Sequence, residues 1–403
     1  MNINKYFINL IASYLSGAMP EMSCDMVSDE ILKLAGINGV SGIIYTELQK
    51  FDDKLKDNEN YKQLEQQFYV DLMNYNRRNR AKELVSDALK ENRIRFGFVK
   101  GSILCNFYRD PMLRTMSDID ILIDDGNKGK VHEIMRKLGA VYSHDSSQDD
   151  ELKYILNKTC IEIHTKLICD EMIANDVDYE KYFVNEINNL NMTDECFGEL
   201  KPERHVIFML VHMARHLDYN GCGIRMFMDM HVINEHYKNE LDMDYIKKEL
   251  EKLKLSKFSE CVFQLCNKWF DSGFSCDSVL DENEIEKLEK FVLEAGTFGV
   301  SGRNTDVMNV RKGYAYSKNG SGNGGSRFLK GAFRLAFPSY KSMRRHSSWF
   351  KNKPAVLLPV AYAERIARNS KERGGIFKWI KEIVRGKKEV EYHSDILKLV
   401  GLE

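Results

Sequence analysis

Two carboxylates, Asp118 and Asp120, stand one residue apart in Ser117-Asp118-Ile119-Asp120-Ile121-Leu122-Ile123. Read as a strand, this run points both aspartates to one face, while Ile119 and Ile121 pack on the other. Carboxylates held that close repel each other. A divalent cation between them removes the repulsion, and hard oxygen donors suit Mg²⁺. Two-metal phosphoryl chemistry commonly uses a third carboxylate. Glu162 is the best candidate, in the alternating run Cys160-Ile161-Glu162-Ile163-His164. It reaches the same cleft if its strand lies beside that of Asp118. His164 shares the face of Glu162 and either orients a metal ligand, touches a substrate, or simply bonds backbone at a strand end. Neither the Asp pair nor Glu162 is diagnostic alone, since exposed strand faces often carry acids.

The elements that must position these groups follow from pattern and punctuation. Phe68, Leu72, Tyr75, Leu84, Ala88 and Leu89 fall near helical spacing, and a helix is expected over 61–92. A first strand follows at Phe96–Val99, then a short helix over Ser102–Tyr108, broken by Asp110-Pro111. The second strand is Asp118–Ile123, and Val131–Leu138 is an amphipathic helix closed by Gly139. Two or three further strands come next, ending with Cys160–His164. The helix between the first two strands suggests a parallel pair. Three regions result: helices over 1–92, a mixed core over 93–172, and helices over 173–403. The fold class is α+β, a small mixed β-sheet core embedded in predominantly helical flanking regions.

At 403 residues the chain is long enough for two or three domains. Its nine cysteines are odd in number and unpatterned, which fits a reducing cytoplasm better than a disulfide framework. No run approaches the ~18 apolar residues of a membrane span. Net charge is −1, yet residues 303–388 hold 21 Lys or Arg against 4 Asp or Glu. Such asymmetry suits RNA or another polyanion, a phosphate-rich substrate, or peripheral contact with an anionic membrane. Solvated helical faces balancing an acidic partner region account for it equally well. Aromatics from Phe328 to Phe350 interleave with the basic residues, a mix that serves either RNA stacking or amphipathic packing. Lys318–Ser326 reads as a flexible polar loop.

Lys100-Gly101, Tyr108, Asp110-Pro111, Arg114, Ser117-Asp118-Ile119-Asp120 and Ile161-Glu162-Ile163-His164 together resemble a family of uncharacterised bacterial nucleotidyltransferases. That family falls within the polymerase-β-like nucleotidyltransferase superfamily. The motif resemblance covers about residues 80–170, and more loosely the stretches near His212–Asp229 and Phe337–Arg365. Fifteen residues separate Ser102 from Asp118, more than the usual superfamily gap.

The resemblance implies transfer of a nucleoside monophosphate from an NTP to an acceptor hydroxyl, with two Mg²⁺ or Mn²⁺ ions. Asp118, Asp120 and Glu162 would be the metal-holding catalytic set. Lys100, Gly101, Ser102 and Arg114 would bind the nucleotide's phosphates, Arg114 bidentately. Structural readings stand beside these: Lys100 as a solvated strand end, Arg114 as a loop-ordering partner of Asp110 or Asp118. The acceptor is open among RNA or tRNA, protein, sugar and small molecules. A non-catalytic nucleotide- or nucleic-acid-binding module is the alternative from another class, and a small-molecule resistance-type transferase is a further one.

His212 and His216 share one helix face, a zinc spacing. Met213, however, stands where a metalloprotease motif needs Glu, so packed histidines are the expectation. His212, Arg225 and Asp229 are candidates for the acceptor side of the cleft. Gly296–Gly302 is glycine-rich without the Lys-Ser/Thr ending of a phosphate loop and reads as a connector.

Overall fold

In the computed structural model the described residues are 2–21, 27–143, 151–168, 177–219, 221–238, 240–297, 353–372 and 387–402, with 337, 340, 343–344 and 349–350 besides. Much of the basic segment, all of Lys318–Ser326, and the Gly296–Gly302 loop beyond Thr297 lie outside them. The chain divides into two units. One takes in Met1–Glu171, Val177–Leu217 and Gly221–Gly299; the other is mainly Val300–Glu403.

In the first unit, α1 (Ile3–Ser16), α2 (Asp29–Asn38), α3 (Ser41–Leu48), the single turn α4 (Asp52–Leu55) and α5 (Glu59–Glu91) precede the sheet. The 33 residues of α5 contain neither Gly nor Pro. Asn58 caps its start, accepting from the N–H groups of Asn60 and Tyr61. Tyr61 and Leu64 at one end, and Ala81, Val85 and Leu89 at the other, are buried at helical spacing. The buried positions between them are Asp71 and Arg78. This helix packs on α3 and runs past the centre of the sheet.

The sheet order is β1-β2-β5-β4-β3. β1 is Phe96–Phe98, β2 Asp118–Ile123, β3 Val141–Ser143, β4 Glu151–Leu156 and β5 Thr159–His164. β1 and β2 run antiparallel, not parallel as expected. The connection explains the reversal. It holds only the four-residue helix α6 (Gly101–Leu104) and the 3₁₀ turns Cys105–Phe107 and Pro111–Leu113. A parallel crossover is usually carried by an α-helix that spans the sheet; residues 99–117 hold none of that length, and the chain returns at the same end.

The parallel pair is β2 with β5. Between them lie α7 (Lys128–Lys137), which buries Val131, Ile134 and Met135, and the β3–β4 hairpin. Gly139 ends α7 at φ 79°, with the Ala140 N–H reaching back to the Met135 carbonyl. β4 and β5 join through Asn157-Lys158, both at positive φ, as a two-residue type I′ turn requires. Ile119, Ile121, Ile161 and Ile163 are buried on the face away from the aspartates.

After β5 come α8 (Tyr179–Tyr182) and a small hairpin of β6 (Asn191–Met192) and β7 (Gly198–Glu199), which lies against β1. Then follow α9 (Pro202–Tyr219), α10 (Ile224–Tyr237), α11 (Met243–Lys252), α12 (Ser256–Phe270) and α13 (Glu282–Ala295). α12 packs on α1 and α10, and α13 on α2, so helices from before and after the sheet form one layer. In the second unit, Met343, Phe350 and Ala361 form a small cluster with Tyr340, Leu357, Leu358 and Tyr362. No described helix is long and apolar enough to cross a membrane.

Candidate active site

The β2–β5 register sets Asp118 opposite Cys160, Asp120 opposite Glu162 and Leu122 opposite His164. Alternation then puts Asp118, Asp120, Glu162 and His164 on one face. Asp120 Oδ1 is the focus. Lys100 Nζ lies 2.7 Å from it and His164 Nε2 lies 2.9 Å from it. Glu162 Oε2 is 3.9 Å from the same imidazole nitrogen. Glu162 Oε1 accepts from Lys153 Nζ at 2.8 Å, because β4 pairs Lys153 with Glu162. The donor atoms of Asp120, Glu162 and His164 all fall within 4.8 Å of one another. Among the described residues, this is the one group of three or more acidic, His or Cys side chains so gathered.

The electrostatics divide the two aspartates. Burial pushes the Asp118 carboxyl up to about 6, with the charges of Asp120 and Glu162 adding to it. Burial also works against ionised Asp120, but Lys100 and His164 outweigh it and hold that carboxyl well below the usual carboxylate range. Lys100 is the reciprocal case: burial disfavours its charge, and Asp120 more than offsets that. Glu151 stands opposite His164 on β4, and burial followed by Glu162 raises its carboxyl. Acidic charge on this face is thus in excess locally. Oxygen donors with one imidazole beside them suit a divalent cation chemically.

Lys100 joins β1 to α6 beside this face, and Gly101 and Ser102 open that helix. Lys100 sits at φ 53°, ψ −137°, a conformation rare for a residue with a side chain. It keeps the ammonium on Asp120. The Ser102 hydroxyl accepts from the Asp120 N–H at 2.8 Å and the side chain is buried, so it braces β2. Lys82 of α5 donates to the Ser102 carbonyl at 2.6 Å. A Cβ on Gly101 would come 3.0 Å from Arg114 Nη1, tighter than ordinary contact, so the glycine lets the guanidinium sit close under this turn.

Arg114 is committed elsewhere than the open face. Its Nε and Nη2 donate to the two Asp229 oxygens at 2.9 and 2.6 Å, and Nη1 to the Thr115 carbonyl at 2.6 Å. Tyr108 donates to Asp229 at 2.8 Å. Arg225 Nη1 donates to Thr115 Oγ1 at 2.7 Å, and that hydroxyl donates to the Gly39 carbonyl. Arg114, Asp229 and Arg225 therefore tie the 108–117 loop to α10 and to the end of α2. Asp229 is buried and both its oxygens are taken by Arg114 and Tyr108, so it serves to hold the loop.

His212 and His216 adjoin on α9, with ring centroids 4.5 Å apart. Burial first, then His216 and Lys100, push the His212 imidazole well below its ordinary value. Burial, Lys100 and Arg215 push His216 down to about 4.

Sequence reasoning missed Lys153, Glu151 and Lys82. The first two were reachable: a type I′ turn at Asn157-Lys158 puts Lys153 across from Glu162. The missing signal is the glycine that usually follows Asn in such turns. The Arg114–Asp229 pair had no local signal at all.

Among known proteins, the family model described as "Uncharacterised nucleotidyltransferase" matches residues 26–271. No curated protein and no solved structure gives a match.

Proposed function

The chain belongs to the uncharacterised nucleotidyltransferase family, and from that premise we propose that it moves a nucleoside monophosphate from an NTP to an acceptor hydroxyl. In this reaction the acceptor oxygen forms a bond to the α-phosphorus, and the bond from that phosphorus to the leaving pyrophosphate breaks. The observation that carries the reading is the parallel register aligning Asp120 with Glu162, with Asp118 on the same face. These three carboxylates would hold Mg²⁺ or Mn²⁺, which when bound neutralises phosphate charge and favours the acceptor's alkoxide.

The chain's own residues supply the positioning. Lys100 brings a cation to the face where the triphosphate lies. The Gly101 turn keeps backbone close to the phosphates, with no side chain in the way. Ser102 fixes the height of Asp120 through its amide. His212 and His216, held neutral, border the acceptor side.

The test is incubation of the full chain with each labelled NTP, Mn²⁺ or Mg²⁺ and a cell lysate. Labelled acceptor and released pyrophosphate are expected, both lost in Asp120→Asn. Lys100 and Lys153 already neutralise Asp120 and Glu162, which favours one second reading: a nucleotide-binding module without turnover. NTP binding with no pyrophosphate release under any acceptor would support that reading.

A further inference from the structure

We infer that His164 is itself a metal ligand. With Asp120 and Glu162 it forms a one-nitrogen, two-carboxylate position that selects a first-row transition ion such as Mn²⁺ over Mg²⁺. The inference deepens the proposed function and rests on it only in taking this face as a cation site.

Geometry supports the assignment. Glu162 and His164 are two residues apart on β5, so both side chains stand on the Asp120 face. Nε2 of His164 hydrogen-bonds Asp120 Oδ1 at 2.9 Å and lies 3.9 Å from Glu162 Oε2; a cation bound there takes the place of the shared proton, which leaves to solvent. Neighbouring ligands on a six-coordinate cation with bonds of ~2.1 Å lie about 3 Å apart. The two separations bracket that spacing from the near side and the far side, and small side-chain rotations would equalise them. The imidazole is 7% exposed at the strand end, so it cannot swing out to water without leaving the packed face. Lys100 Nζ, 2.7 Å from the same Asp120 oxygen, marks where positive charge is favourable. Its long stem lets it withdraw when a stronger cation arrives.

Chemistry then sets the selectivity. Mg²⁺ prefers oxygen donors and retains its waters, so an imidazole contributes little to it. Imidazole suits Fe²⁺, Ni²⁺, Cu²⁺ and Zn²⁺ best; Mn²⁺ stands at the weak end of that series, but as a d-block ion it still takes an imidazole nitrogen more readily than Mg²⁺ does. A purely carboxylate site would discriminate weakly between Mg²⁺ and Mn²⁺, whereas this donor set would not.

The experiment uses the full chain and MnCl₂, read by electron paramagnetic resonance with detection of ¹⁴N modulation. Wild type is expected to show bound Mn²⁺ with imidazole nitrogen coupling. His164→Gln should lose the coupling and bind Mn²⁺ at least about tenfold more weakly, with Mg²⁺ affinity nearly unchanged. A wild-type chain that binds Mn²⁺ with no nitrogen coupling overturns the His164 assignment and leaves the transferase reading standing. Coupling that survives in His164→Gln but disappears in His216→Gln also overturns it. A wild-type chain that binds no Mn²⁺ overturns both. Should His164→Gln fail to fold, competition of Mg²⁺ against Mn²⁺ in wild type decides the selectivity, and equal affinities refute it.

Discussion

Two clusters of buried charge lie on either side of the Gly101 turn, and they are built on opposite plans. Beneath the turn, Arg114, Asp229 and Tyr108 satisfy one another, with both Asp229 oxygens bonded by the guanidinium. On the open face four acids, Asp118, Asp120, Glu162 and Glu151, meet Lys100, Lys153 and His164; Asp120 and Glu162 hold the ion pairs, and the acids outnumber the bases. The Asp118 carboxyl is pushed up to about 6 first by burial and then by the neighbouring charges of Asp120 and Glu162. The charges of the closed cluster are matched within the protein, and it serves the fold. The open one lowers the stability of the metal-free chain and retains the capacity to bind. Charges that share a turn can thus be sorted into structural and functional groups by whether their partners lie inside the protein.

The largest expected effect breaks the closed cluster. Asp229→Ala leaves the Arg114 guanidinium buried without its carboxylate and strands the Tyr108 hydroxyl. Removing one partner of a buried ion pair costs about 3–5 kcal/mol. Urea denaturation should show a loss of that size, accompanied by loss of cation binding as the 108–117 loop loosens. A variant within about 1 kcal/mol of wild type would mean that the pair is dispensable.

Asp118→Asn should do the reverse on the open face. Loss of one preorganised charge group typically lowers turnover by about 10²–10³-fold, and nucleotidyl transfer should fall at least that far. Stability should rise. An acid whose carboxyl sits near 6 when folded holds its proton more tightly in the folded chain than in the unfolded one, where it titrates near 3.8. The stability from this group is therefore fully present below about pH 4 and is lost as pH climbs through about 6. Asparagine stays neutral and escapes that loss. Metal-free Asp118→Asn should melt above wild type at pH 7.5, with the gap closing near pH 4. A variant that melts below wild type at pH 7.5 would refute the charge-excess account.

Gly101→Ala probes the wall between the clusters. The added carbon would meet Arg114 Nη1 at 3.0 Å. That side chain is pinned by Asp229 and cannot yield cheaply. Overpacking of this kind costs about 1–3 kcal/mol, read as a lower melting temperature, with a higher KM for NTP as the turn shifts. Pairing it with Arg114→Lys, which frees space but loses the fork, should give a non-additive result.

How much of this was legible in the sequence depends on the range of the determining interaction. β2 over Asp118–Ile123 and the shared face of Asp118 and Asp120 rest on local alternation, and both are present as read. The long helix ends within one residue of its expected end, at Glu91, where Asn92 caps it. Glu162 needed one conditional, that its strand pair with β2, which holds. The direction of β1 was misread because the short helix expected over Ser102–Tyr108 was taken as a crossover between parallel strands. Four helical residues turn a chain but do not carry it across a sheet. Arg114 was read toward phosphate because its partner stands 115 positions away. No spacing rule connects residues so distant along the chain.

The smallest expected effect concerns Lys153. Its ammonium donates to Glu162 Oε1 at 2.8 Å, and its side chain is 35% exposed. Partly solvated pairs contribute about 0–1 kcal/mol, so Lys153→Met should barely move the melting temperature. The effect on cation binding separates two roles. If Lys153 competes with a cation for Glu162, its removal frees an oxygen and deepens the negative potential of the face. Mn²⁺ titration should then show binding tightened by a few-fold, as expected for the loss of one partly screened charge. If Lys153 instead aims Glu162 at the cation, its removal lets the carboxylate swing away and binding weakens. The open-face account requires the first outcome. Glu162 Oε2 lies 3.9 Å from His164 Nε2, beyond hydrogen-bond reach, so without its lysine the carboxylate can turn toward a cation on the Asp120 face.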